Sequence, residues 1–367
     1  MSWVHTGYTQ RIHFGVGAVD GIADIVKELG ARRIMLITTS GRLRSEAGDR
    51  LTRRLGRALA STFEGTRSHV PTPVVQDAVR QATGDGVDCL VSFGGGSCAD
   101  LAKAVCFFVE QQSGTPGASY SDRPALPHVS VPTTYSGAEL TPFFGMTDPT
   151  TGRKTGAGGP TLAPMAAIYD PMLTVDLPLD VTTQTAMNAM AHGVECAYSP
   201  ARSPEAEAIA LACIAQVADA LPRVVDDEGG IEARTDLLAG AALGGRCLQN
   251  ASMGVHHGLA QIVGARTGMP HGLANAVILA HALRFNAPAV PTEAHRIGTA
   301  LGDPDDPAGA VDRLRQRVGL PAGLSECGMD DDDLEAAVHL AADNRNVAAN
   351  PRPVTPEDAR SILEAAW

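Results

Sequence analysis

Short apolar runs alternate with amphipathic stretches through the first half of the chain. RIHFGVGAV, from Arg11, alternates polar and apolar positions and suits a short strand at a sheet edge. Between Gly21 and Gly30 the stretch IADIVKEL has helical periodicity and closes on glycine, where a helix can end in a left-handed turn. RRIMLITTS follows as an apolar, β-rich run ending on Thr38, Thr39 and Ser40. The order recurs: DRLTRRLGRALA leads into STFEGTRSHV, and VVQDAVRQATGDG into VDCLVSFGGGS. Helices alternating with short buried strands predict a parallel sheet covered on both faces. Strand signals continue through HVSVP and AAIY and then nearly vanish. From Thr182 the composition is helical, as in PEAEAIALACIAQVADALPRVV and RTDLLAGAALGGRCLQNAS. The pattern predicts an α/β N-terminal domain with a parallel Rossmann-like sheet over 1–165, and an all-helical C-terminal domain over 166–367. In the tail NPRPVTPEDARSILEAAW, Thr355 is expected to cap a helix with Pro356, Glu357 and Asp358 in its first turn.

The length of 367 residues agrees with two domains. Aromatics make up 4% of the chain, so the cores must be built mainly from Ala, Val, Leu and Ile. A formal net charge of −12 argues against nucleic acid or an anionic membrane as partner, while leaving room for a small anionic substrate in a locally basic pocket. MSWVHTGYTQRIHFG lacks the charged and apolar regions of a signal peptide, and no apolar run is expected to reach the roughly 18 residues that cross a bilayer. The 7 cysteines form no CxxC pair and read as buried thiols of a cytoplasmic protein rather than metal ligands.

Ligands of parallel sheets bind where strands end and helices begin. That junction here is Gly94-Gly95-Gly96-Ser97, between CLVSF and CADLAKAVCFF. Glycines let backbone N–H groups approach an anion, the helix N-terminus adds partial positive charge, and Ser97 can cap the helix or meet a phosphate. Asp100, one turn further, favours the same helix end. A plain tight turn explains GGGS equally well, and it is not the GxGxxG fingerprint. In HVSVPTTYSGAELTPFFGMTD the hydroxyls of Thr133, Thr134 and Ser136 follow a strand end, where they suit either a dinucleotide or turn capping. Lys154 lies in a Gly-rich, hairpin-like segment, available to a phosphate or substrate carboxylate or simply solvated.

The densest chemistry lies in the second half. Asn188 and His192 are one helical turn apart in TAMNAMAHGVECAYS and so share a face. His257 and His271 lie in GVHHGLAQIVGARTGMPHG, far enough apart to come from consecutive elements that converge. His256 and His257 are adjacent, so at most one faces a common site, and the spacing to His271 favours His257. An Asp at 188 would complete a one-carboxylate, three-imidazole set for Fe²⁺ or Zn²⁺. The residue is Asn, a neutral and poor ligand, and the set reads as a metal site that lacks its anion.

Taken together, GGGSCADLAKAV, VPTTYSGAEL, NAMAHGVECAY and HGLAQIVGARTGMPHGLANAVILAHALRFN resemble the iron-containing alcohol dehydrogenase superfamily, also called dehydroquinate synthase-like, along essentially the whole chain. PTTYSGAELTPFFGMTD with GRKTG, NAMAHGVECAYS, HHGL and NPRPVTPEDARSILEAAW resemble its maleylacetate reductase branch most. That resemblance implies reduction of the carbon–carbon double bond of maleylacetate to 3-oxoadipate in aromatic catabolism, with NADH or NADPH and without a metal. It implies a cofactor held by Gly94, Gly95, Gly96, Ser97, Asp100, Thr133, Thr134 and Ser136, and a homodimer; Ser40, at a strand end, and Lys154 are added to the cofactor site on the reading of the residues. Gln261 departs from the pattern, which carries His one turn after His257, and the GLANAV that follows His271 is closer to the alcohol dehydrogenases.

The expected chemistry is hydride addition to an alkene conjugated to a ketone. His257 is the expected acid, His192 and His271 bind or orient, and Asn188 and Gln261 complete the site. Arg246, Lys154 or Arg345 would hold the carboxylates of a small dicarboxylate. Ser40 brings no acid to reject a 2′-phosphate and Arg42 would attract one, so both cofactors are allowed. The alternatives are a metal-dependent (Fe or Zn) alcohol dehydrogenase, and a diverged biosynthetic or non-redox relative.

Overall fold

The computed structural model describes residues 3–114, 124–150 and 154–367. Gly152 and Arg153 of the GRKTG motif lie outside these ranges.

Eight strands are present among the described residues: β1 (Arg11–Phe14), β2 (Ile34–Ile37), β3 (Leu59–Phe63), β4 (Cys89–Gly94), β5 (His128–Pro132), β6 (Phe143–Thr147), β7 (Lys154–Gly158) and β8 (Ala166–Tyr169). Six of them form one parallel sheet in the order β1-β8-β5-β4-β2-β3, with β1 at an edge as its alternating pattern predicts. The central strands are buried along their whole length, and β2 and β8 read as continuous apolar runs, while His128 and Ser130 of β5 bond to Ser92 of β4. Alternate side chains serve opposite faces. Ile34, Leu36, Val91, Phe93, Val129 and Val131 pack with Ile22 of α1 (Ile22–Glu28) and Leu51 of α3 (Glu46–Leu55), which follows the short α2 (Ser40–Leu43). On the other face Met35, Ile37 and Leu90 meet Val75 of α4 (Thr72–Gly84) and Leu101 and Val105 of α5 (Gly96–Ser113). β6 and β7 form a separate antiparallel pair that places Lys154 opposite Thr147.

The remaining helices run α6 (Leu179–Tyr198), α7 (Pro204–Asp226), α8 (Ile231–Asn250), α9 (Val255–Thr267), α10 (His271–Asn286), α11 (Pro291–Leu301), α12 (Pro307–Arg317), α13 (Asp331–Ala341), α14 (Arg345–Ala348) and α15 (Pro356–Ala365). One core of this region joins Val255, Leu259 and Val263 of α9 to Val277 and Ile278 of α10, Val338 of α13 and Ile362 of α15. The Thr355 cap forms as a capping box with Asp358. Against the expectation that no apolar run is long enough to cross a bilayer, α7 is long and apolar enough by length and composition. Its apolarity serves the helical core: Ala210, Ile214, Val217 and Leu221 are fully buried, and Ala210 and Val217 lie against Gly193 of α6 and Gly240 of α8.

The chain divides into a sheet unit, Gly7–Thr134 with Ala138–Leu177, and a helical unit, Met1–Thr6, Tyr135–Gly137 and Pro178–Trp367. The sequence pattern places the division at 165/166. The strand β8 pairs with β1 and β5, so the sheet unit extends to Leu177. The helical unit also takes in Tyr135–Gly137. Tyr135 is fully buried there, and Gly137, at φ +78°, brings its backbone so close to Gly245 that a Cβ would lie 2.8 Å from the Gly245 Cα.

Candidate active site

In the sheet unit, β4 delivers the chain to Gly94 at φ +150°. A Cβ on Gly94 would lie 2.5 Å from Cys98 Sγ, and one on Gly95 would lie 3.1 Å from Thr134 Cγ2. The backbone N–H of Thr133 donates to Gly94 O at 3.0 Å, so the two loops expected to hold a cofactor lie side by side. The Oγ1 atoms of Thr133 and Thr134 are buried and have no hydrogen-bond partner among the described residues. Burying such hydroxyls costs free energy unless a partner arrives. Bare glycine backbone at the start of α5 beside two waiting hydroxyls fits the phosphates of a dinucleotide.

Two expectations about this loop change. Gly95, not Ser97, is the N-cap, and Gly96 and Ser97 already lie in the first turn of α5. Asp100 is engaged locally: its Oδ1 pairs with Lys103 Nζ at 2.7 Å and its Oδ2 accepts from the Gly145 N–H at 3.3 Å. Lys103, which no sequence pattern singles out, is fully buried and also donates to Ala138 O, Thr141 Oγ1 and Phe143 O at 2.5–2.9 Å. This cation ties α5 to the chain that follows Gly137. Ser40 opens α2 at the end of β2, where Thr39 caps the helix, and Lys154 sits exposed on β7.

In the helical unit, α6, α9 and α10 bring three imidazoles together. The His192 and His257 rings stack at 4.8 Å between centroids, tilted by 20°, and the His271 ring lies 6.1 Å from His257. His192 and His257 are almost wholly buried. Burial, reinforced by the His257 and His271 rings, holds His192 well below the ordinary imidazole value, so it is neutral. Asn188 is buried beside Ser136: its Nδ2 lies 3.5 Å from Ser136 O, and its Oδ1 has no partner among the described residues. Ser136 Oγ is likewise buried without one. Gln261 is turned to another task, accepting from Asn346 Nδ2 at 3.2 Å.

No sequence spacing singles out Glu195, although it follows His192 by three residues on the same helix. It is fully buried. Its Oε1 accepts from the N–H groups of Gly254 and His256, and its Oε2 from the N–H and Nδ1 of His257, the last at 2.6 Å. Asn350 Oδ1 accepts from the Val255 N–H at 3.1 Å. The first four N–H groups of a helix have no partners within it. Two buried side chains satisfy all four at the start of α9. Burial pushes the Glu195 carboxyl up, but the neighbouring His256 and His257 side chains outweigh it and hold the group below the usual carboxylate range, as an anion. His256 turns the other way, with Nε2 2.9 Å from Asn275 O, so it is His257 that joins His192 and His271, as the spacing predicts.

Glu195, His256 and His257 carry ligand atoms within 4.8 Å of one another, a grouping that can be read as a metal site. The hydrogen bonds argue otherwise. Both carboxylate oxygens already serve the helix start, and the histidine set offers the neutral Asn188 where the one-carboxylate, three-imidazole set has its anion. The donor set lacks the carboxylate of a one-carboxylate, three-imidazole Fe²⁺ or Zn²⁺ site.

Comparison with known proteins supplies a lineage. The Iron-containing alcohol dehydrogenase family matches residues 9–171, and the Fe-containing alcohol dehydrogenase family, C-terminal, matches 182–367. Maleylacetate reductase 1 of Cupriavidus pinatubonensis is 34% identical over 97% of this chain and 95% of its own. Maleylacetate reductase 1 of Rhodococcus opacus is 34% identical over 100% and 96%. The crystal structure of maleylacetate reductase from Rhizobium sp. strain MTP-10005 superposes with a TM-score of 0.87 at 32% identity, covering 100% of this chain and 98% of that one.

Proposed function

The chain belongs to the Fe-containing alcohol dehydrogenase family and is an oxidoreductase, and we propose that it reduces maleylacetate to 3-oxoadipate without a metal. The observation that carries this reading is the gathering of His192, His257 and His271 beside the neutral amide of Asn188. The full-length likeness to maleylacetate reductases supports the substrate.

NADH or NADPH, when bound, supplies the hydride. Gly94, Gly95, Gly96 and Ser97, with the hydroxyls of Thr133 and Thr134, would hold it, and Ser40 leaves a 2′-phosphate unopposed. Hydride addition to the conjugated alkene places negative charge on the ketone oxygen as an enolate. Imidazole N–H groups stabilise that oxygen in a water-poor site, and His257 is the acid that returns the proton. His192, held neutral by burial, serves as hydrogen-bonding and packing partner rather than a second acid. Among the three candidate cations for the substrate carboxylates, Arg345 and Lys154 are exposed. Arg246 is half-buried, next to the Gly245 that packs on Gly137, and carries no ion pair among the described residues. It is the preferred choice. A cytoplasmic homodimer acting on a small dicarboxylate, with no nucleic acid or membrane as partner, completes the reading. All seven cysteines are free thiols, six of them buried, which supports a reducing compartment.

Protein purified in chelator and found metal-free by elemental analysis should oxidise NADH or NADPH on addition of fresh maleylacetate, with 3-oxoadipate as product. Turnover that returns only with Fe²⁺ or Zn²⁺ would favour the metal-dependent alternative, and no turnover under either condition would overturn the substrate.

A further inference from the structure

The buried carboxylate behind His257 has a consequence for which nitrogen of that ring can do chemistry. Asn275 O can only accept a hydrogen bond, so His256 Nε2, 2.9 Å away, carries a proton. His256 Nδ1 faces His257 Nδ1 at 3.2 Å. The Glu195 anion also only accepts, and its Oε2 lies 2.6 Å from His257 Nδ1. The distance from His256 Nδ1 to the same oxygen, 3.8 Å, is too long for a hydrogen bond. A carboxylate oxygen at 2.6 Å can only accept, so His257 Nδ1 is the donor of this bond.

We infer that Glu195 is a positioning residue that keeps one proton of His257 on Nδ1, so that a second proton taken up by the ring sits on Nε2, where it can be given to the substrate. The inference rests on the reading of His257 as the acid. The same carboxylate accepts the backbone N–H groups of Gly254, His256 and His257, so it sets the ring's orientation together with the start of the helix that carries it. An imidazole held through one nitrogen presents the other in a defined direction. A Gln at 195 keeps the size of the side chain but replaces one acceptor with an NH₂ donor. That donor would face N–H groups that cannot accept, and the ring would be drawn toward its other tautomer.

The test has two parts. In full-length wild-type protein labelled with ¹⁵N-histidine, and assigned by difference against His257→Gln, the His257 resonances should report a protonated Nδ1 at pH 7.5. A proton on Nε2 alone would overturn the inference. This measurement needs no substrate, so it stands even if maleylacetate proves not to be reduced. In the second part, Glu195→Gln should lower kcat on the order of 100-fold with little change in the KM for cofactor, and Glu195→Asp should recover part of the loss. A folded Glu195→Gln enzyme with kcat within twofold of wild type would also overturn it. If Glu195→Gln does not fold, the wild-type tautomer decides alone.

Discussion

Asn286 and Asn350 clasp each other through two reciprocal amide hydrogen bonds, Asn286 Nδ2 to Asn350 Oδ1 at 3.0 Å and Asn350 Nδ2 to Asn286 Oδ1 at 2.8 Å. Asn350 also accepts from the Val255 N–H and donates to Arg352 O, so one side chain joins α10, the C-terminal tail and the start of α9. Truncation by Asn350→Ala strands buried partners on two elements, each costing about 1–3 kcal/mol. Urea unfolding should show a lower midpoint with an unchanged slope. A midpoint within error of wild type would mean that water replaces the amide.

Gly94 combines a positive φ with a backbone that lies against Cys98. Gly94→Ala introduces strain and displaces the start of α5, where the phosphates are proposed to sit. Fluorescence titration should give a dissociation constant for NADH raised about tenfold or more, a loss of about 1.4 kcal/mol. Unchanged affinity would move the cofactor away from this loop.

Asn188→Asp restores the missing anion at a buried position whose Oδ1 lacks a partner among the described residues. Three imidazoles and a carboxylate make a site for Zn²⁺ or Fe²⁺. After incubation with Zn²⁺ and desalting, the variant should retain near-stoichiometric metal while wild type retains little. Equal retention by both proteins would show that the amide does not decide metal occupancy.

His128 gives a pH dependence of stability. Burial, with the nearby Lys103 charge, lowers it to about 3, and it stays neutral in the fold with Nε2 2.7 Å from Ser92 Oγ. The unfolded chain takes up this proton below its ordinary value of 6.5 and the fold does not. Stability is therefore lost as pH falls from 6.5 toward 3, by about 1.4 kcal/mol per unit in the middle of that window. His192 adds to the loss in the same direction. Unfolding free energies at pH 7, 6 and 5 should fall less steeply for His128→Gln, by about one proton. Parallel slopes would rule out a neutral buried His128.

Local periodicity makes much of this architecture legible. The strand β2 is apolar along its length because helices cover both faces of the sheet, and Asn188 and His192 share a helix face because four residues make a turn. Features made by distant contacts are not legible in the same way. Glu195 meets Gly254 and His257 across 59 and 62 residues, and no local spacing announces such a pairing. Its one available sign is an acidic residue one turn after His192, on the face that Asn188 and His192 share. Ser97 reads as a cap because serines often are, but the loop closes earlier, on Gly95. The apolar run of α7 is easily underrated because acidic and basic residues interrupt it in sequence while its buried face remains continuous in space.

The short visit of Tyr135–Gly137 to the helical unit also bears on how such a molecule can be cut and recombined. A gene fragment that begins at Pro178 encodes all three clustered histidines but omits the three residues whose backbone meets Asn188 and Gly245. Neither unit is one uninterrupted stretch of chain. Exchanging the sheet unit for that of a relative, by splicing at a single point, would therefore also replace a piece of the helical unit. The loop that follows Thr134 and the chemistry around Asn188 are inherited together.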